Sequence, residues 1–350
     1  MKKITKIIFT FLLCINLTIP LTSCGTPARQ DTETSSQEPA QRDIFAMDTY
    51  MTIQAYGDQK DAAVEAAVKE IQRLDTLFST QEEKSEIAIL NDSGSEILSE
   101  DVAAVLEKSM DLYRDTQGLF DIAIYPLVKE WGFIDEQYQV PSETRIKELL
   151  KQIDAGKIQY DKEEKLVTLP DSMEIDLGGI VKGFTSSRIM EIFKQYKVTS
   201  GLVSLGGNVQ TYGKRPNGGN WRVGIQNAQK DAQDFLGVIE VSDRAVITSG
   251  GYERYFEKDG KTYHHILDPR TGYPAESGLT SVSIVSQDGT LADGLSTSLF
   301  IMGKDKAIQY WQKHREEFDM ILLDQEGQIT ISQGISQQFS SDTYEIKIVK

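Results

Sequence analysis

The sequence predicts an α+β fold, because short apolar runs of strand length are interspersed with segments of helical period and no internal repeat recurs. With 350 residues, 39% of them hydrophobic and 26% charged, the chain can bury the core of one large domain or of two closely packed lobes. General disorder is excluded on the same grounds.

The first element is a processing signal. Lys2, Lys3 and Lys6 precede an apolar run over residues 7–21, which has the layout of a secretory signal and is short for a membrane span. The run ends in Leu21-Thr22-Ser23-Cys24-Gly25, which resembles a bacterial lipobox. Cleavage before Cys24 would make residues 1–23 a lipoprotein signal peptide and leave the Cys24 thiol to carry lipid, anchoring the protein on the extracytoplasmic face of the cell membrane. The other cysteine, Cys14, lies in the removed segment, so no disulfide is expected in spite of export. Residues 24–42 are rich in Thr, Ser, Gln, Glu and Pro and read as a flexible tether, which places the folded domain at 43–350.

Within that domain residues 44–56 read as a strand. Residues 61–78 read as a helix, with Val64, Val68, Ile71 and Leu74 on one face. A second helix is expected over 99–116, with Ser99 as N-cap, an apolar face of Val102, Val105, Leu106 and Tyr113, and Gly118 just past its end. A third is expected over 142–153. Strands at 202–205, 238–241 and 282–285 are interspersed with helices at 182–196 and 291–301. Residues 320–323 and 329–332 form a hairpin through Asp324-Gln325-Glu326-Gly327-Gln328, and 344–349 is a last strand.

Charge narrows the partners. A formal net charge of −16 repels a polyanion, so no nucleic acid is expected. A phosphorylated ligand would need donors and a cation concentrated where its phosphates sit.

The residues that meet that need lie between Asp176 and Gly303. Asp176-Leu177-Gly178-Gly179-Ile180-Val181-Lys182-Gly183 joins an extended segment to a helix through two glycines, so a ligand can approach the backbone and find free N–H groups with a lysine charge nearby. The spacing is neither that of a Walker A loop nor that of a dinucleotide fingerprint. Ser204-Leu205-Gly206-Gly207-Asn208 and Thr248-Ser249-Gly250-Gly251-Tyr252-Glu253-Arg254 are two further glycine turns, each equally suited to a purely structural role. His264-His265-Ile266-Leu267-Asp268-Pro269-Arg270-Thr271-Gly272 concentrates two of the three histidines beside Asp and Arg. Zinc is unattractive there, because adjacent strand residues point to opposite faces. In Asp288-Gly289-Thr290-Leu291-Ala292-Asp293-Gly294-Leu295-Ser296-Thr297, a helix would put Asp293 and Thr297 on one face. With a nearby carbonyl they make a hard-oxygen set suited to Mg²⁺; helix-terminal chemistry is the plainer alternative. A Ser-His-Asp hydrolase is unsupported, since no Gly-x-Ser-x-Gly elbow occurs.

In this order the motifs, with Met47-Asp48-Thr49 and Gly118-Leu119-Phe120-Asp121 upstream, resemble the ApbE family of FAD:protein FMN transferases across nearly the whole mature domain. The resemblance implies FAD contacts from Met47, from a strand over Phe120, Asp121 and Ile122, and from Asp176, Lys182 and Ile266, with Gln81 at the flavin-ring position. It implies Mg²⁺ on the Gly179 carbonyl, Asp293 and Thr297, and leaves His265 and Asp268 as candidates for the base. The implied reaction moves FMN from FAD to a Thr or Ser hydroxyl in an Asp-Gly-x-Ser/Thr-Gly-Ala-Thr-like segment of an exported or membrane-bound redox protein, such as an electron-transport subunit, and releases AMP. This chain has no such segment of its own. Asp48 stands where many relatives have Gly, Gln81 where many have Tyr, and Ser186-Ser187 where an acidic residue is frequent. An amide lacks the stacking surface of tyrosine, which keeps an FAD pyrophosphatase in play beside a flavin-binding lipoprotein without turnover.

Overall fold

The structure is a computed structural model that describes residues 38–227 and 235–350. The expected signal peptide, Cys24 and tether residues 24–37 lie outside the described residues. The first strand begins at Ala40, so the fold starts three residues before the expected boundary at Asp43.

Residues 44–56, expected as one strand, form the end of β1 (Ala40–Ala46) and the whole of β2 (Thr49–Tyr56). Met47 and Asp48 make the two-residue loop, with φ of 47° and 56°. Positive φ at both loop residues gives the twist a tight hairpin needs, and it strains any residue with a side chain except Gly, Asn or Asp. Asp is among the residues that tolerate the positive φ required at position 48. Met51, Ile53 and Ala55 of β2 face inward, and α1 (Lys60–Phe78) lays Val64, Ala67 and Ile71 into the same cluster.

Next come α2 (Glu86–Ser93), capped by Ser85, then β3 (Ser95–Ile97) and α3 (Glu100–Asp115). Ser99 takes the N-cap position of α3, but its side chain makes no capping bond. The strand expected over Phe120, Asp121 and Ile122 is absent. Asp121 instead caps a 3₁₀ turn over Ile122–Ile124 that runs into α4 (Tyr125–Glu130). The helix expected over 142–153 is shorter, α5 (Glu143–Leu149), because its last turn tightens into 3₁₀ at Leu150–Gln152. Two short strands, β4 (Gln159–Asp161) and β5 (Leu166–Thr168), then join β3 in a small sheet.

After α6 (Gly178–Gln195) come β6 (Ser200–Leu205), β7 (Asn208–Tyr212), β8 (Trp221–Gln226), β9 (Phe235–Val241) and β10 (Ala245–Gly250). A surface hairpin of β11 (Tyr255–Lys258) and β12 (Lys261–His264) precedes β13 (Leu279–Ser286). The chain ends through α7 (Gly289–Met302), α8 (Lys304–Lys313), β14 (Phe318–Asp324), β15 (Ile329–Ser332), β16 (Phe339–Ser340) and β17 (Ile346–Val349). The expected β14–β15 hairpin is present, while β17 lies parallel to β15.

The main sheet has the order β1-β2-β6-β7-β10-β13-β14-β15-β17. α1, α6 and α7 pack on one face, where their apolar side chains fill the core together with α3. On the other face Val223, Ile225, Ile239 and Val241 of the sheet β16-β9-β8 cover Val246, Val285, Ile321 and Leu323. The described residues therefore form one compact unit, not two lobes. None of the described helices is long and apolar enough to cross a membrane.

Candidate active site

The site is built where α6 crosses α7, and two glycines permit that crossing. A Cβ on Gly183 would lie 2.1 Å from the Gly289 carbonyl oxygen and 2.6 Å from Cβ of Asp293. One on Gly289 would lie 2.8 Å from the Gly183 carbonyl oxygen. No side chain fits between backbones that close, so the pair fixes the separation of the helices. Ser186 seals the crossing, its Oγ lying 2.9 Å from the Gly183 carbonyl oxygen and 2.5 Å from Oε1 of Gln210.

This close approach defines the surroundings of Asp293. Its Oδ2 accepts the Gly183 N–H at 2.8 Å and its Oδ1 accepts Nδ2 of Asn208 at 3.0 Å. The carboxylate is buried, and burial raises its pKa above the ordinary aspartate range, opposed by Lys182 and by these donors. Thr297 follows one turn later on α7, half-buried, with Oγ1 3.2 Å from Oγ of Ser249 on β10. Asp293 and Thr297 thus share a helix face as their spacing predicted.

At the start of α6, Gly178 and Gly179 are exposed. Asp176 accepts the Gly178 N–H at Oδ1, 2.8 Å away, and its own N–H donates to the Ile122 carbonyl at 2.8 Å. The Gly179 Cα faces the Phe120 ring, which a Cβ would approach to 3.3 Å. Phe120 and Ile122 are buried, so they wall the site while the glycine backbone stays open. Lys182 is half-buried, and among the described residues its ammonium makes no ion pair. Its charge acts on Asp176, Glu253 and Asp293.

His265 completes this side. Its Nδ1 lies 3.1 Å from the Arg254 carbonyl, which can only accept, so Nδ1 carries the proton and Nε2 keeps a free lone pair. Burial lowers the imidazole pKa to about 3, with help from the Arg254 charge, so the ring stays neutral. Asp268 is otherwise engaged. Arg270 Nε donates to its Oδ1 at 2.9 Å, Arg270 Nη2 to its Oδ2 at 2.6 Å, and the Asp268 carbonyl accepts the Gly272 N–H at 2.8 Å. Ile266 is buried between these two residues, its carbonyl accepting the Ala275 N–H.

Met47 is held at the hairpin loop, its N–H donating to Oδ1 of Asp75 at 2.9 Å and its sulfur 3.8 Å from Thr185 on α6. Asp121 turns its carboxylate to the N–H groups of Ala123 and Ala155, and burial lifts its pKa to about 6. Gln81 is exposed just beyond α1, with its N–H on Oγ of Ser79. No contact joins it to the residues around Lys182 among the described residues.

Sequence reasoning left Glu253 without a role. It is open to solvent, yet burial pushes its carboxyl up to about 7, with Asp293 adding to the rise and Lys182 and Arg254 opposing it. Asp176 and His265 are half-buried, and burial raises the Asp176 pKa and lowers that of His265. The signal for Glu253 was its position two residues after Gly250-Gly251, but only the fold brings it to Lys182.

The residues gathered here suit both implied ligands. A buried carboxylate whose charge is incompletely compensated, a hydroxyl one turn away and an open glycine backbone form a hard-oxygen donor set for Mg²⁺. Among the described residues no three His, Cys, Asp or Glu side chains are placed to hold one metal ion, and the expected set contains only one of these. An exposed Gly-Gly helix start beside an unpaired lysine is a phosphate cradle, as the pyrophosphate of FAD requires.

Fold and site together define an α+β protein in which an open glycine turn, Lys182 and the buried Asp293 come together where α6 crosses α7. The sequence matches the ApbE family over residues 47–322, and the chain belongs to that family. It is 33% identical over 276 residues to a protein of Klebsiella pneumoniae named FAD:protein FMN transferase, covering 77% of this chain and 84% of the relative. A Treponema pallidum protein of the same name is 32% identical over 307 residues, 81% of this chain and 83% of its own length. The crystal structure of an ApbE protein from Thermotoga maritima superposes with a TM-score of 0.82 at 30% identity, covering 87% of this chain and all of that one. The apo flavinyl transferase ApbE of Pseudomonas stutzeri gives a TM-score of 0.78 at 25% identity, covering 89% of this chain and all of that one.

Proposed function

We propose that this protein is a Mg²⁺-dependent FAD:protein FMN transferase that attaches FMN to a Thr or Ser hydroxyl of an exported or membrane-bound redox protein. The observation that carries the reading is the Gly183–Gly289 crossing, which holds Asp293 beside Lys182 at the open start of α6. Membership of the family whose relatives bear that name supports it.

Gly178, Gly179 and Lys182 bind and orient the FAD pyrophosphate through backbone donors and one charge. Asp293, Thr297 and the Gly179 carbonyl hold Mg²⁺, which when bound neutralises charge on the pyrophosphate. The acceptor hydroxyl attacks the FMN-side phosphorus, a phosphoester forms, the P–O–P bond breaks and AMP leaves. Nε2 of His265 takes the hydroxyl proton. Burial makes imidazolium costly in the free enzyme, and the anionic substrate beside it offsets that cost. Asp268, tied to Arg270, supports the turn that carries His265.

Gln81, an amide where the resemblance implies an aromatic ring, is the ground for a second reaction at the same site, in which water replaces the acceptor hydroxyl and FMN and AMP are released. FAD with Mg²⁺ and no acceptor separates the two: rapid AMP release marks the hydrolase, and little AMP marks the transferase.

The test of the metal is Asp293→Asn, which keeps size and most hydrogen bonding while removing the ligand charge. Covalent flavin on an acceptor domain, followed by mass and in-gel fluorescence, should fall at least about 100-fold at low Mg²⁺ and recover in part as Mg²⁺ is raised. Full activity of the variant in a chelator overturns the metal assignment.

A further inference from the structure

We infer that Ser249 and Ser296 form a hydroxyl relay that orients Thr297 so that its lone pairs, and not its proton, face the cation site. The inference rests on Thr297 and Asp293 being cation ligands, and it assigns the Thr248-Ser249 motif a positioning role.

Each serine or threonine hydroxyl has a single proton to donate and two lone pairs with which to accept. Ser296, fully buried on α7, donates its proton to the Asp293 carbonyl at 2.7 Å. Its oxygen also lies 2.7 Å from Oγ of Ser249, and since its proton is spent, Ser249 is the donor in that bond. The Ser249 proton is now spent as well. In the longer contact of 3.2 Å between Ser249 and Thr297, Thr297 must therefore donate. Its proton points at β10, which leaves the lone pairs of Oγ1 for another partner.

With no cation present, a hydroxyl free to rotate also samples orientations that aim its proton at the cation site, and it must give these up when the cation binds. The relay removes that choice before the cation arrives. It starts from the backbone carbonyl of Asp293, while the Asp293 carboxylate is held separately by Gly183 and Asn208. Partners that orient ligands in this way typically contribute 10- to 100-fold to metal affinity.

The test follows unfolding of FAD-saturated mature protein as Mg²⁺ is added, and reads the Mg²⁺ concentration that gives half of the rise in unfolding temperature. Ser249→Ala should raise that concentration about 10-fold or more with little change in the metal-free unfolding temperature. Ser249→Thr, which restores a donor and an acceptor, should bring it back towards wild type. Thr297→Ala and Asp293→Asn should raise it further. If Ser249→Ala matches wild type while Thr297→Ala and Asp293→Asn do not, the relay is wrong and the ligand assignment stands. If Thr297→Ala and Asp293→Asn also match wild type, or wild type shows no Mg²⁺ effect, the ligand assignment falls and the relay falls with it.

Discussion

Lys182 brings a positive charge into a cleft that also holds Asp176, Glu253 and Asp293, and no single carboxylate captures it. A charge left uncommitted among the described residues is available to a phosphate. Lys182→Ala should weaken FAD binding by about 1 to 3 kcal/mol, read by calorimetry, and unaltered affinity would remove this lysine from the phosphate site. Asp121 behaves differently, because its carboxylate is spent on the N–H groups of Ala123 and Ala155. Burial raises its pKa from 3.8 to about 6, so its contribution to stability is full below about pH 3.8 and is lost as pH rises through about 6. Asp121→Asn should therefore unfold about 2 to 4 °C above wild type at pH 8, an effect discounted for solvent contact, and match it near pH 4. An equal difference at both pH values would show that ionisation of Asp121 is not the cause.

Among the elements, the α6–α7 pair sets the chemistry. The sequence marks both helices by period, and it marks the Gly178-Gly179 start of α6, which begins four residues before the expected position at 182. It gives no sign that Gly183 and Gly289, far apart in the chain, face each other, since glycine inside a helix or at its start has several explanations. A Cβ at position 183 would overlap the Gly289 carbonyl, which belongs to backbone and cannot swing aside. Gly183→Ala should cost about 3 kcal/mol in denaturant unfolding and raise the Mg²⁺ requirement as the helices part. Wild-type stability in that variant would show that the crossing is looser than the structure has it. The β1–β2 hairpin makes the complementary point. Apolar alternation alone reads through residues 44–56 as one strand, because Met47 and Asp48 carry no Asn-Gly or Asp-Gly signature to announce the turn.

For the whole molecule, the nine-stranded sheet presents one face to the helices that carry the site and covers much of the other with the sheet β16-β9-β8. None of its described helices is long and apolar enough to cross a membrane. Lipidation of Cys24 remains the proposed anchor. Cys24→Ala should move the protein from the membrane fraction to the soluble one or leave it unprocessed, and FMN transfer by the isolated domain should be unaffected. Lipid labelling equal to wild type would refute the anchor.

Local chemistry was legible in the sequence where one segment supplies all its parts. Gly178 and Gly179 ahead of Lys182, Asp293 and Thr297 one helical turn apart, and the Asp268 to Gly272 turn are of this kind, because spacing along a helix or turn fixes which groups meet. Assembly across segments was not legible. Asn208 and Gly183 on Asp293, Ser249 against Ser296 and Thr297, and Glu253 near Lys182 all depend on strand order and helix separation. The sequence by itself determined which residues have the chemistry for a phosphate and a cation. The tertiary structure decided which lone pairs and charges are left free for them, because that depends on where every competing donor, acceptor and counter-charge comes to lie.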